Sequence, residues 1–426
     1  MLLDRTREPQ LKSIEKIELL PVQKTVFKNG MTAHIINAGE QDVLKLELIF
    51  KAGRRHEQAK GVAGAVSQLM RDGTSKHSSK EIAEAFDFYG ASLNSQAFID
   101  SCSVTFFSLN KHVPKLLPLV HEILTEAIFP TGELQTYIQN HTQKILVNLE
   151  KVEFLAQRNF TASLFGQNHF IGYTTTESDL INLDSESLIS FYSSRFHFDN
   201  CTAIIAGKVS DQTVKLIEQY FGSENFSESK KISVEPVIHS FSGKEVYEEK
   251  KDAVQSAIRI GRRFINRLHP DFSKVKVLNM IFGGYFGSRL MSNLREDKGY
   301  CYGIYSTAAS FLDDAYFCVA TEVNVDATLD AIHQIRIEMM NLCNQKVAED
   351  ELRLVKNYIM GTILSDTDGA FNVSEVLKHL ILYNLTPADF QNGISEMMNV
   401  TSDDLIQLAN RYLHPDSMIE VVVGKK

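Results

Sequence analysis

Alternating apolar and polar positions mark the first strands of the chain. Residues 43–50 place apolar side chains at every second position, which is the pattern of a strand buried on one face. Two shorter apolar runs, residues 23–27 and 31–36, are separated by Asn29-Gly30, a pair typical of a two-residue hairpin. The pattern therefore predicts a hairpin followed by a third strand.

The period then changes to that of helices. Residues 61–70 and 79–89 carry apolar side chains every three or four positions, and Gly90 is suited to ending the second of these helices. Further elements follow in the order strand pair, helices, strand, at residues 91–109, 116–127, 132–153, 154–165, a helix capped near Asp184, and 201–206. This order predicts the α+β class with mostly antiparallel sheets.

The second half of the chain repeats motifs of the first half. Residues 182–189 match residues 399–406 without a gap, 217 positions later, and the apolar strand that ends at Gly207 has a counterpart that ends at Gly424. A single offset near half the chain length favours a duplicated domain over a solenoid, whose periods are about 20–50 residues. We expect domains at residues 1–225 and 246–426, joined by a polar linker at 226–245.

Composition narrows the class of protein. The chain has 426 residues and a net charge of −9. It has no long basic run, which argues against nucleic acid as a partner. No segment approaches 18 apolar residues, and the first twenty lack a signal-peptide core, so no membrane association is expected. Five scattered cysteines without C-x-x-C spacing suggest reduced thiols and a cytoplasmic location.

One segment, residues 283–305, places two polar side chains where they can act together. It is predicted to be a glycine loop, a helix with Ser288 as its N-cap and Gly299 at its end, and then a strand. Arg295 from the helix and Tyr302 from the strand can converge to hold a peptide carbonyl oxygen. In the alternative interpretation Arg295 is an exposed helix-end residue and Tyr302 is packed within its strand.

The same segment resembles the second domain of the insulinase/pitrilysin-like metallopeptidases, the family with an inverted zinc motif. The similarity lies in Leu-Arg-Glu-Asp-Lys-Gly-Tyr-Cys-Tyr after a Gly-rich, Ser-Arg-Leu helix start. In that family an Arg and a Tyr seven positions apart contact the substrate at the zinc centre. The resemblance covers nearly the whole chain and implies substrate-binding roles for Arg295 and Tyr302.

The family's zinc motif, H-x-x-E-H on the first-domain helix, is degenerate here. Its flanking residues are present in residues 61–74, but the motif positions are occupied by Gly64, Ser67 and Gln68. For the third ligand, a Glu on a later helix, the best match is Asn148, with Glu150 as the alternative. None of Gly64, Ser67 and Gln68 is a zinc ligand or a general base. The sequence therefore predicts no metal and no catalytic residue within this chain alone.

Together these features predict a non-catalytic, substrate-binding subunit of a heterodimeric zinc metallopeptidase. The resemblance implies two homologous α+β domains, each with helices packed on one face of its sheet, paired like a clamshell with a partner of the same family. That partner would carry H-x-x-E-H and Zn²⁺, and peptide would add as a strand to a sheet edge. Two alternatives remain: a purely structural or peptide-holding subunit, and a peptidase that binds zinc through other residues.

Overall fold

Two mixed sheets form the framework of the protein, for which the computed structural model describes residues 17–223 and 245–426. The first has the strand order β1-β2-β6-β3-β5-β4. Its strands are β1 (Gln23–Val26), β2 (Thr32–Asn37), β3 (Val43–Phe50), β4 (Ser92–Ala97), β5 (Cys102–Leu109) and β6 (Cys201–Gly207). The predicted linker lies outside the described residues except for its last residue, Glu245, and so do the first sixteen residues.

The second sheet repeats the topology of the first. Its order is β7-β11-β8-β10-β9, and its strands are β7 (Glu245–Glu249), β8 (Gln255–Arg263), β9 (Cys301–Ser310), β10 (Ala315–Asn324) and β11 (Ile419–Gly424). In each sheet the last strand of the half inserts between two others. Strand β6 runs parallel to β2 and antiparallel to β3, and β11 does the same between β7 and β8. The predicted α+β class with two homologous units is confirmed.

Fourteen α-helices surround these sheets in the described ranges. They are α1 (Val62–Leu69), α2 (Ser79–Phe88), α3 (Val113–Thr125), α4 (Thr131–Leu149), α5 (Val152–Phe165), α6 (Glu177–Ile181), α7 (Ser185–Arg195), α8 (Asp211–Phe221), α9 (Phe272–Asn279), α10 (Thr328–Asn344), α11 (Glu349–Asp366), α12 (Gly369–Leu382), α13 (Pro387–Asn399) and α14 (Ser402–Tyr412). None of the helices within residues 17–223 and 245–426 is both long and apolar enough to cross a membrane. The sequence analysis did not predict α6, α8 or α13.

The repeated motif has the same structural role in both halves. Helix α7 begins with a capping box formed by Asp184 and Ser187, and α14 begins with one formed by Thr401 and Asp404. The strands that follow both end at a glycine with positive φ, +113° at Gly207 and +134° at Gly424. The sequence repeat therefore reflects a repeated helix start and strand end.

The first hairpin differs from the prediction in its loop length. Val26 pairs with Thr32, and the Phe27 amide donates to the Met31 carbonyl at 2.9 Å, so the loop contains three residues rather than two. Gly30 takes the left-handed conformation, with φ of +87°. The Asn29 side chain is committed elsewhere, because it bonds the Met31 amide and the carbonyl of Phe221 at the end of α8. A three-residue turn with glycine last accommodates these contacts.

Each sheet is also covered by a helix from the other half of the chain. On one face each sheet packs against helices of its own half. On the opposite face α5 packs against β8 and β11, whereas α12 packs against β2 and β6. Phe160 of α5 is 0% exposed and lies close to Gly261, where an added Cβ would be 2.8 Å from the Phe160 ring. The two halves are therefore interlocked.

A network of charged side chains lies under α12. Lys45 and Glu47 of β3 are 2% and 1% exposed, and Glu47 forms ion pairs with both the Lys45 and the Lys378 ammonium groups at 2.9 Å. Lys45 also donates to Ser374 at 2.9 Å and pairs with Glu375. Because an unpaired buried charge is strongly destabilising, these contacts fix how α12 sits on the first sheet.

We expect Phe160→Ala to destabilise the protein, because it opens a cavity between α5 and the second sheet. The expected loss is about 3–5 kcal/mol, typical of a fully buried phenylalanine. Urea denaturation followed by circular dichroism measures it. Phe88→Ala is the matched control, since Phe88 is 81% exposed. Equal transition midpoints for the two variants would contradict the interlocked packing.

Candidate functional site

The degenerate zinc-motif positions lie on α1, which begins after Gly61 in the left-handed conformation (φ +89°). Gly64 offers no side chain to a metal. Ser67 is buried, and its hydroxyl donates to the Gly64 carbonyl at 2.9 Å. Gln68 is exposed on the outer side of the helix. The three positions therefore present neither a charged donor nor an imidazole.

The α4 side chain that faces Gly64 is a phenol. A Cβ added at Gly64 would lie 3.5 Å from the Tyr137 hydroxyl. Asn148, the predicted third position, lies eleven residues further along α4, about 16 Å at 1.5 Å per residue. Glu150 ends that helix and pairs with Lys250 at 2.7 Å. Tyr137 is therefore the α4 side chain next to Gly64, and the role of Asn148 or Glu150 stays a prediction.

Tyr137 belongs to a small aromatic cluster that the sequence analysis missed. Its ring stacks on His141 with centroids 3.9 Å apart, and His141 Nδ1 lies 3.0 Å from the Tyr137 carbonyl oxygen. Burial raises the pKa of the Tyr137 hydroxyl, with a further contribution from the charge of Glu57. The i, i+4 spacing of Tyr137 and His141 could have predicted that their rings stack. Nothing in the sequence indicates that Tyr137 faces Gly64 of α1.

These residues do not fit a zinc ion. The side chains beside Gly64 are a buried phenol and a serine whose hydroxyl is already engaged. Across residues 17–223 and 245–426, no three His, Cys, Asp or Glu side chains lie together as a group able to hold a metal. Zinc-assisted chemistry is therefore not assigned to residues of this site.

Glu57 holds the beginning of α1. One carboxylate oxygen accepts the Ala63 amide at 2.9 Å, and the Tyr173 hydroxyl donates to the other. Arg54 completes the group, since it donates to the Tyr173 carbonyl at 2.7 Å and lies 4.1 Å from the Tyr173 ring. Burial raises the pKa of Glu57 to about 7, although the Ala63 amide and Arg54 favour the charged form. Glu57 is therefore a buried carboxyl group with a raised pKa at the start of the helix that carries the motif positions.

The segment that carries Arg295 is anchored on two sides. Residues Met291–Asp297 form π-helical turns, a conformation frequent at functional sites, and the turn ends at Gly299 with φ of +65° as predicted. Arg289 pairs with Glu351 through two bonds of 2.7 and 2.8 Å. At the other end the Tyr300 hydroxyl donates to Asp330 at 2.7 Å. These contacts hold the segment in one position.

Ser288 does not cap this segment through its side chain. The residue is buried, and within the described chain its hydroxyl has no hydrogen-bond partner. Its carbonyl instead accepts the Ser292 amide at 3.0 Å. The sequence pattern correctly located the helix start. It did not predict that Ser288 is buried, so that its hydroxyl does not cap the helix.

Tyr302 stands out from its strand because of a β-bulge. Cys301 pairs with Val323 and Ile304 with Thr321, so Tyr302 and Gly303 lie opposite one residue of β10. The extra residue turns Tyr302 outward, and its side chain is 93% exposed. The alternative of a packed strand tyrosine is therefore wrong.

Arg295 lies in the π-helical turns that precede this strand. Its guanidinium is 4.5 Å from the Phe286 ring centroid. Burial raises the pKa of Cys301, the neighbour of Tyr302, and the positive charge of Arg295 is among the influences that oppose this shift. A guanidinium and an exposed phenol thus project from a rigid loop and an edge strand, both able to donate hydrogen bonds to an oxygen anion.

Comparison with known proteins places this geometry in context. The family model described as Insulinase (Peptidase family M16) matches residues 33–171, and the model described as Peptidase M16 inactive domain matches residues 182–359. The uncharacterized zinc protease YmxG of Bacillus subtilis is 24% identical over 80% of this chain and 84% of its own length. The non-peptidase homolog YmxG of Helicobacter pylori is 21% identical over 71% and 70%.

A solved structure shares the complete fold. The peptidase M16 inactive domain from Pseudomonas fluorescens superposes with a TM-score of 0.85 at 20% identity, covering 96% of this chain and 99% of that one. At 20% sequence identity, this similarity shows that the two chains share a fold.

We expect the stability of the protein to fall between about pH 4.5 and 7 because of Glu57. Its folded-state pKa, about 7, is raised above the ordinary value of 4.5. The stability that Glu57 contributes is therefore fully present below pH 4.5 and lost as the pH rises through 7, by at most about 3 kcal/mol. Thermal unfolding of the wild type and of Glu57→Gln at pH 5 and pH 8 measures it. The advantage of the wild type should shrink at pH 8, and a constant difference between the two proteins would refute this assignment.

Proposed function

Because the chain belongs to the insulinase family, peptidase family M16, we propose that it is the non-catalytic, substrate-binding subunit of a heterodimeric zinc metallopeptidase. Residues 1–225 and 246–426 are its two domains in this proposal. The catalytic partner is a subunit of the same family that carries H-x-x-E-H and holds the zinc ion. This chain contributes Arg295 and Tyr302 to the shared site.

One contrast within the chain carries the proposal. On α1 the motif positions lack the two imidazoles and the carboxylate that zinc-dependent hydrolysis needs. The Ser67 hydroxyl instead donates to the Gly64 carbonyl of its own helix. In the second half, Arg295 and Tyr302 are retained, and a bulge presents Tyr302 to solvent with 93% of its side chain exposed. A large exposed tyrosine on a rigid strand contributes little to the stability of this chain, which favours a role toward another molecule.

The chemistry of the two side chains suits the carbonyl oxygen of a peptide. During hydrolysis this oxygen gains negative charge, and a guanidinium and a phenol can both donate hydrogen bonds to it. Their anchoring through Arg289–Glu351 and the bulge keeps these donors preorganised. In the proposal, substrate peptide adds as a strand to a sheet edge, and β4 and β9 are outer strands of the described sheets.

The proposal includes the cytoplasm as the compartment. All five cysteines lie in the described residues and are unpaired. Four of them are buried, which is consistent with thiols that serve packing in a reducing environment.

We expect the tagged chain to copurify from its own cells with a stoichiometric partner of similar size. Mass spectrometry should identify H-x-x-E-H in that partner. Metal analysis should assign about one zinc per heterodimer and none to the isolated chain. Recovery of the chain alone, or with membrane-complex subunits, would favour the structural or peptide-holding alternative. About one zinc per isolated chain with peptide cleavage would favour a self-sufficient peptidase.

We further expect Arg295→Ala and Tyr302→Phe to lower kcat of the assembled pair, by about 10²-fold for a lost oxyanion donor. Size-exclusion chromatography should show unchanged assembly, since neither side chain packs in a core. Tyr305→Phe is the matched control, because Tyr305 is on the same strand and 55% exposed. Wild-type turnover in both variants would show that the two residues are relics.

A further inference from the structure

The Arg295 side chain is held by an aromatic ring rather than by a carboxylate. Its guanidinium lies over the Phe286 ring, 4.5 Å from the ring centroid. Within residues 17–223 and 245–426, the Arg295 side chain forms no ion pair and no hydrogen bond. Arg289 of the same segment differs, because its guanidinium is paired with the carboxylate of Glu351. Of these two arginines, Arg295 is therefore the one whose donors stay available.

An aromatic ring is the kind of partner that holds a guanidinium and leaves its donors free. The five N–H groups of arginine lie in the plane of the guanidinium, whereas a ring over its face interacts with the positive charge. A carboxylate would instead occupy two of these donors in a bidentate pair and neutralise the charge. The contact with Phe286 also restricts a long side chain with several rotatable bonds before a peptide arrives.

The position of Phe286 is fixed by the loop that carries it. A Cβ added at Gly283 would lie 2.7 Å from the Ser306 hydroxyl oxygen, so the loop lies directly against β9. The Tyr285 ring centroid is 4.8 Å from that of Tyr358 on α11. Because Phe286 follows Tyr285 in the chain, its backbone is held by contacts with both β9 and α11.

Phe286 itself is not part of a hydrophobic core. Its side chain is 61% exposed, whereas the neighbouring Tyr285 packs against the core of the second half. Among the described residues, no other aromatic ring or cation lies against the Phe286 ring. An exposed ring in a fixed loop, in contact with a single cation, suits a role toward that cation.

We propose that Phe286 is a positioning residue for Arg295. Its ring holds the guanidinium so that the N–H groups are directed to the carbonyl oxygen of the bound peptide as that oxygen gains negative charge. The inference rests on the proposed function of Arg295 and adds a residue outside the Arg–Tyr pair. Loss of the ring should lower the rate of the chemical step and leave peptide binding unchanged.

The first test measures kcat and KM of the purified pair with an internally quenched fluorescent nonapeptide. Phe286→Leu keeps an apolar side chain but removes the ring, and we expect it to lower kcat about fivefold at unchanged KM. Phe286→Tyr keeps the ring and should retain the wild-type kcat. Phe88→Leu, the same change at a phenylalanine that is 81% exposed on α2, is the control.

The kinetics can overturn the proposal in two ways. A raised KM with unchanged kcat in Phe286→Leu would show that the ring binds peptide directly. Equal kcat values in Phe286→Leu and Phe286→Tyr would show that the ring is not what matters at this position.

A double-mutant cycle links the effect to Arg295. In the Arg295→Ala background, Phe286→Leu should cause no further loss of kcat, because the group that the ring positions is gone. An equal loss in both backgrounds would overturn the proposal, since Phe286 would then act independently of Arg295. Wild-type turnover of Arg295→Ala would instead overturn the proposed function, so the two failures are distinct.

A spectroscopic readout tests the contact in the isolated chain, without the partner subunit. Protons over the face of an aromatic ring are shielded, so the Arg295 Nε–H proton should resonate upfield of ordinary arginine signals. This resonance, recorded at pH 6 with ¹⁵N-labelled arginine and assigned by its loss in Arg295→Lys, should move downfield in Phe286→Leu. Phe286→Tyr should leave it in place. An unchanged resonance in Phe286→Leu would overturn the proposal whatever the kinetics show.

Discussion

The exchange of one helix between the two halves is the contact on which the rest of the fold depends. Neither sheet is covered by its own half alone: α5 crosses to the second sheet and α12 to the first. Phe160 and the close approach at Gly261 make the first contact tight, and the buried Lys45–Glu47–Lys378 network fixes the second. Since an isolated half would leave a hydrophobic sheet face and buried charges open to water, the two halves are stable together.

Helix α1 is held in place by residues outside the three motif positions. The residues that shape α1 act through packing: Gly61 sets its start, Glu57 caps it, and Val62 and Val66 are fully buried. None of these contacts needs a metal. The frame around the three motif positions is therefore maintained by these packing contacts.

The sequence predicted those features that depend on local periodicity. Strand β3, the Gly299 turn and the helix cap at Asp184 were found because a few adjacent residues determine them. What it missed arises from contacts distant in the chain. The β-bulge at Tyr302 depends on pairing with β10, the three-residue hairpin on Phe221, and the place of Tyr137 on how α4 crosses α1. The exchange of α5 and α12 belongs to the same group, because both helices have ordinary amphipathic patterns.

The environment of Gly64 also indicates that the loss of the motif involves more than three residues. Ser67 is buried, and a carboxylate in its place would require a partner or the desolvation of a charge. The side chain across from Gly64 is the Tyr137 phenol, whose burial opposes ionisation, and its ring is covered by His141. A histidine at Gly64 would place its Cβ about 3.5 Å from the neutral Tyr137 hydroxyl. The aromatic cluster therefore fills the space beside Gly64 by packing, and the proposed function places the chemistry on the Arg295 segment instead.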